Sequence, residues 1–371
     1  MAPGASAGNE GRGLNFVCGQ RETRTEKRAS IEAVSPHSGA REGGAVGAGA
    51  RALLAAALLA GAAAAQMAFA GGAAGAEVVV ESRELEIGGA RLTVNLAAGH
   101  LDIAPARVFA WVTRAARAVS MYYGGFPVTR AEVNVRPVAG RDGVFHGFTF
   151  FPDSGILTTR IAVGEHTTEA ELENDWMMTH ELVHMSFPGM AAEHHWIEEG
   201  IATYVEPIAR AQDGQIPVTS VWKQLVDGLP NGEPEAGDEG LDHTHTWGRT
   251  YWGGAMFCLL ADIGIRRATK NQLGLEDALR GIVAARGSME KDWTIEHALE
   301  IGDKATGTTV LMKLYEKMKA APAPVDLSQL WKELGVAPED GTVTFRDDAP
   351  MAAIRKAITE PPRARLAPVA P

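Results

Sequence analysis

Cysteine is almost missing from this sequence. The 371-residue chain has two, Cys18 and Cys258. They fall on opposite sides of a candidate processing site near residue 76. After processing, no internal disulfide can form, even in an oxidising compartment. The fold must therefore rest on its apolar core. Clusters of positive charge are also missing. Formal net charge is -11, and no Lys/Arg-rich run stands out. That leaves a nucleic-acid role without its usual electrostatic footprint. No internal repeat is visible, so a solenoid is excluded. What remains is a globular composition, 46% hydrophobic and 22% charged, and enough length for one large domain or two lobes.

The N-terminal 76 residues differ from the rest. Residues 1–50 are rich in Gly, Ala, Ser and Arg and lack periodic hydrophobicity, as a disordered or mis-assigned leader would. Arg51 then precedes the apolar run Leu53-Leu54-Ala55-Ala56-Ala57-Leu58-Leu59-Ala60. Small residues follow at Ala68-Phe69-Ala70 and at Ala74-Gly75-Ala76. A positive flank, a short apolar core and an A-x-A site predict a signal peptide over 51–76 and export to a periplasm or exterior. The alternative is an uncleaved membrane anchor. Gly61 and Gln66 interrupt the run and make it a poor span. Contact with a membrane is then expected only in transit.

Two units are expected in the remainder: an α/β lobe over 77–210 and a helical lobe over 211–371. Residues 77–95 alternate as strands do, and 131–138, 143–151 and 156–163 read as further strands. Residues 105–123 carry Val108, Trp111, Val112, Ala115, Val119 and Tyr122 at helical spacing. A second helix opens at Thr168, where Glu171 completes a capping box, and Pro188-Gly189 ends it. A third spans about 192–206, where Pro207 should stop or kink it. After a Gly/Pro/acidic loop at 228–241, helices are expected at about 250–265, 275–286, 308–320, 326–334 and 349–358.

The chemistry concentrates in His180-Glu181-Leu182-Val183-His184. Residues four apart share one helix face, so both imidazoles can reach one ion. Glu181 adjoins His180 and cannot share its ligand geometry. It stands where it can take a proton from a metal-bound water. Two histidines can fall at this spacing by chance, but here they lie on a capped amphipathic helix. A downstream helix carries Trp196-Ile197-Glu198-Glu199-Gly200, which offers a third ligand from Glu198 or Glu199. Two histidines and a glutamate form a ligand set known for hydrolytic zinc, with the fourth position left to water.

H-E-x-x-H followed by W-x-x-E-G resembles the gluzincin metallopeptidases, above all the aminopeptidase N and glycyl aminopeptidase families. The resemblance covers roughly 140–290. It implies an α+β, thermolysin-like catalytic unit, with a small sheet and the metal helices in one lobe and a mainly helical second lobe. It implies a zinc metallopeptidase acting on a peptide or protein substrate. The third ligand becomes Glu199, which stands before the glycine with fourteen residues between it and His184. The families' Y-x-K-G pattern is matched by Tyr251-Trp252-Gly253-Gly254, with glycine for lysine, and implies that Tyr251 stabilises an oxyanion. One departure bears on specificity. The families' G-x-M-E-N or G-G-L-E-H strand, whose glutamate grips a substrate amine, is replaced by Gly143-Val144-Phe145-His146-Gly147-Phe148-Thr149. Aminopeptidase action therefore does not follow.

Glu206 lies about two turns beyond Glu199 on the same helical face. It can accept the second N–H of a zinc histidine or be a solvated helix charge; the sequence leaves both open. His146, His194, His195, His243 and His245 read as loop or surface histidines rather than a second metal site. A catalytically inactive zinc-containing peptide-binding protein is the rival reading. The retained Glu181 argues against it, because binding zinc does not require an acid there.

Overall fold

The computed structural model describes residues 78–361. The leader and signal-peptide expectations therefore lie outside the described residues. The chain opens with an antiparallel hairpin of β1 (Val79–Ile87) and β2 (Ala90–Ala97). Gly88 and Gly89 form its two-residue turn, both at positive φ of 57° and 83°. Glycine occupies that region without the Cβ penalty, which suits a tight hairpin. Helix α1 (Pro105–Tyr123) follows, and all six residues of the expected stripe are buried. Then come β3 (Arg130–Val138), β4 (Val144–Phe150) and β5 (Leu157–Gly164).

The five strands form one sheet in the order β1-β2-β3-β5-β4. β2, β3 and β5 run parallel, while β1 and β4 pair antiparallel at the two edges. β5 lies between β3 and β4, and its Leu157, Thr158, Thr159, Ile161, Ala162 and Val163 are all buried. Only Arg160 interrupts this burial on both faces, as expected of an inner strand. Helices α2 (Glu169–Asn174) and α3 (Met177–His184) come next. After a 3-10 turn, α4 spans His195–Gln212.

Two expectations about these helices need correction. The single helix expected from 168 to 187 is two. Thr168 and Glu171 do form the capping box, but Asp175 leaves helical geometry with ψ of 135°. Its carboxylate then accepts the amides of Met177 and Met178 at 3.1 and 3.0 Å, which starts α3 afresh. Trp111 Nε1 donates to the same carboxylate at 3.0 Å and fastens α3 to α1. Pro207 also fails to stop α4, which continues to Gln212. Ile208, Ala209, Arg210 and Gln212 beyond it are buried. Packing on both sides of the proline offsets its lost amide.

The second half is mainly helical: α5 (Val218–Gly228), α6 (Gly254–Ala268), α7 (Leu275–Ala284), α8 (Ile295–Thr306), α9 (Val310–Met318), α10 (Leu327–Leu334) and α11 (Ala352–Thr359). A π-helical turn, Gly248–Gly253, leads into α6. Sequence reasoning missed α5, whose β-branched opening is a poor helix signal. It also missed α8, which carries Gly302 inside it, because a side chain there would strike Leu311. A hairpin of β6 (Val336–Glu339) and β7 (Thr342–Phe345) stands within this mainly helical half. Among the described residues, no helix is long and apolar enough to cross a membrane.

Candidate metal centre

Every residue of α3 is buried, the motif's two histidines and glutamate included. The helix lies against β4 and β5, α1 and α4, so its charged residues sit inside the protein. The rings of His180 and His184 are 4.8 Å apart. Glu199, on α4, completes the group. Its Oε2 lies 3.2 Å from His180 Nε2 and 3.7 Å from His184 Nε2. One ligand atom from each of the three falls within 4.8 Å of the others, and among the described residues this is the only such group found.

Gly200, next to Glu199, explains how α4 reaches this place. A Cβ there would fall on the backbone of Gly254, and a Cβ on Gly254 would strike the Trp196 carbonyl. The two glycines let the start of α6 press directly on α4 beside the third ligand. The W-x-x-E-G pattern thus has a steric reason as well as a ligand.

The donor set suits a cation. Neither ring nitrogen of His184 has a hydrogen-bond partner, although both are buried. A buried polar group left so costs roughly 1–3 kcal/mol. Burial lowers the His184 pKa to about 3, so the ring is neutral, as a ligand must be. Burial pushes the Glu199 carboxyl up, but His184, His180 and His195 more than offset it, and the group is held below its ordinary value. Two imidazoles and a carboxylate fit zinc, which takes N and O ligands at four-coordinate sites.

Glu181 is fully buried at the edge of the group. The Thr149 hydroxyl, from β4, lies 2.9 Å from the Glu181 carbonyl and 3.0 Å from its Oε2. Thr159 stands 2.8 Å behind Thr149 and can supply a further proton. Gly147 on the same strand passes close to the Glu181 stem, where a Cβ would lie 3.1 Å from Cγ. Sequence reasoning missed Thr149. Its partner is 32 residues away, and nothing local signals the contact.

Tyr251 sits on the π-helical turn. Its ring stacks beside His180, with centroids 6.3 Å apart and planes 18° apart. Trp247, 41% exposed, stacks with Tyr251 at 6.1 Å. Trp176 meets His180 edge-on at 5.4 Å. Trp176 and Tyr251 thus flank His180, and Tyr251 links it to the exposed Trp247.

Glu206 is buried, and its Oε1 accepts Arg210 Nη1 at 2.7 Å. Burial raises its pKa against the opposing charges of Arg210 and His180. It is therefore an internal ion-pair partner on the His180 side of α4, not a solvated charge.

The other histidines separate. His243 and His245 are exposed. His194 pairs with Asp242 at 3.0 Å, and Asp242 also accepts Trp196 Nε1 and the Tyr315 hydroxyl at 2.8 and 2.9 Å. His195 is nearer the group than a loop histidine would be. Its Nε2 lies 3.4 Å from Glu199 Oε1, and its Nδ1 lies 3.4 Å from Glu198 Oε2. Burial disfavours a charge on His195, but the two carboxylates outweigh it and its pKa is raised. Glu198, the alternative third ligand, turns away from the other two histidines and accepts the Met190 amide at 3.4 Å.

No family model and no curated protein matches the sequence. Solved structures do match. An aminopeptidase N family protein from Idiomarina loihiensis superposes with a TM-score of 0.54 at 15% identity, over 69% of this chain and 49% of that one. An M1 zinc metallopeptidase from Deinococcus radiodurans gives a TM-score of 0.43 at 16% identity, over 66% and 52%. A mutant of it bound to a Tyr-Ser-Ala substrate gives 0.42 at 16% identity, over 66% and 53%. The chain spans about half the length of these structures. Only the first is near enough in shape to establish a common architecture. The α+β fold of this chain is the fold of an aminopeptidase N family protein, and its buried His180, His184 and Glu199 form a group able to hold a metal.

Proposed function

We propose that this protein is an exported zinc metallopeptidase that hydrolyses peptide bonds with a Glu general base. The observation that carries the reading is the buried His180/His184/Glu199 group with Glu181 on the same helix, beside an edge strand. When bound, zinc supplies a water acidified to near neutrality and an electrophile for a carbonyl oxygen. His180, His184 and Glu199 would hold the ion. Glu181 accepts the proton of the attacking water and passes it to the leaving amine. Thr149 fixes the Glu181 carboxylate through its hydroxyl. Tyr251 donates its phenolic hydrogen to the oxyanion that develops on the scissile carbonyl. β4 is an antiparallel edge strand, so its outer backbone groups can pair with an extended peptide. Export rests on the signal-peptide pattern of 51–76.

Zinc analysis and peptide-library hydrolysis on four proteins test this. Wild type should bind about one zinc per chain, the stoichiometry of one three-ligand site. Glu181→Gln should keep zinc and lose most turnover, because an amide cannot take the water's proton. Tyr251→Phe should keep zinc and lose about 10²–10³ in rate, the scale of one oxyanion donor. Glu199→Ala should lose both metal and turnover. Zinc-loaded wild type that binds peptides yet cleaves none would establish the rival reading, an inactive peptide-binding protein.

A further inference from the structure

Tyr251 is carried by the π-helical turn Gly248–Gly253, a geometry rare outside functional sites and weaker than an α-helix. Such a turn needs an external hold if its phenol is to stay fixed. Arg249, two residues before Tyr251, is 3% exposed and makes a buried contact with Asp238. Its Nε lies 2.7 Å from Asp238 Oδ2, close in distance though not aligned as a hydrogen bond. Its Nη2 donates to Asp238 Oδ1 at 3.4 Å. Its Nη1 donates to the carbonyl of Gly232.

The segment that Arg249 grips presses on the turn directly. A Cβ at Gly232 would fall on the backbone of Trp252 and Gly253, and one at Gly228 would fall on the Trp252 ring. A Cβ at Gly248 would strike the carbonyl of Asn231. Asp238 is fixed in turn. Its Oδ1 accepts the Gly240 amide at 2.9 Å. The loop that bears it is tied to the end of α9 by Leu241 N to Met318 O at 2.9 Å and Asp242 N to Lys319 O at 3.0 Å. On the other side, the Gly200–Gly254 contact sets the turn against the metal helix. The turn is held from both sides, and the ion pair is the directional part of that hold.

We infer that the buried Arg249–Asp238 pair is a positioning device for Tyr251, fixing its phenol relative to the metal group. The inference rests on the peptidase reading above. Buried ion pairs add little net stability, and geometric specification is one reason to retain them. Arg249 is a suitable choice, because its rigid planar fork sets the carboxylate and the carbonyl at fixed angles, whereas a lysine ammonium is a rotatable point charge.

The test uses Asp238→Asn and the milder, charge-conserving Arg249→Lys, each alone and combined with Tyr251→Phe. In zinc-free protein, amide exchange at 248–254 should rise about tenfold or more in Asp238→Asn and less in Arg249→Lys, with 180–184 unchanged. In zinc-loaded protein, occupancy should hold and KM should stay within about twofold, while kcat falls about tenfold, as for a misplaced transition-state contact. In the Tyr251→Phe background, neither substitution should lower kcat further. Unchanged exchange at 248–254 in both variants would overturn the proposal. So would full additivity with Tyr251→Phe, since the pair would then act other than through the phenol. If exchange responds as expected but wild type cleaves no peptide, the hold on the turn stands and the peptidase reading falls.

Discussion

His184 shows how burial prepares a residue for a metal. Its ring is excluded from water and has no hydrogen-bond partner at either nitrogen. Its pKa falls from 6.5 to about 3 because an imidazolium would be desolvated there. The consequence for metal-free protein can be worked out. Above pH 6.5 the ring is neutral folded and unfolded, and it contributes no pH dependence. Between 6.5 and about 3 only the unfolded chain binds the proton. Stability is therefore fully present above pH 6.5 and is lost as the pH falls through that window, by up to ~1.4 kcal/mol per unit. Denaturant titrations of metal-free protein from pH 8 to 4 should show this fall, and His184→Gln should flatten it. A His184→Gln curve that falls as steeply as wild type below pH 6.5 would mean that the ring is not desolvated as described.

At the scale of elements, the contact of α4 with α6 matters most. Gly200 and Gly254 meet backbone to backbone, one residue from Glu199 and three from Tyr251. A methyl group cannot be placed there unless the helices part. Gly200→Ala should therefore destabilise the fold by about 1–3 kcal/mol, the range for overpacking. It should also weaken zinc binding, because Glu199 moves with its helix. Paired measurements of unfolding free energy and zinc dissociation constant check this. Ala is ordinarily the better helix former, so a stabilised Gly200→Ala with unchanged affinity would refute the steric account.

At the scale of the whole molecule, the metal group joins helices from different parts of the core. α3 rests on the sheet, and α4 carries the contacts to the second half. An ion held by both should stabilise the folded state by mass action. At free zinc a thousandfold above its dissociation constant, the gain is about 4 kcal/mol. Melting with zinc and with chelator should differ accordingly in wild type and not in His184→Ala. Export is a separate matter and belongs to residues 1–77, outside the described structure. The mature N-terminus is expected between residues 70 and 77, after the small-residue sites. Sequencing of exported protein that found 1–45 intact would overturn that expectation.

What the sequence by itself determined is what repeats over a few residues. The i, i+4 spacing of His180 and His184, the alternation in β2 and β3, the helical stripe of α1 and the capping box at Thr168 are local, and all were legible. Resemblance added Glu199 and Tyr251; the structure brings Glu199 to both histidines and the Tyr251 ring beside His180. The tertiary structure decided the rest. Asp175 breaks the expected long helix because its carboxylate takes two amides and the Trp111 indole, and that indole lies 64 residues away. Pro207 stays inside α4 because packing outweighs local propensity. Thr149, Glu206 with Arg210, and the Arg249–Asp238 hold depend on which buried groups meet. Their roles come from desolvation and pairing, which exist only once the chain has folded around them.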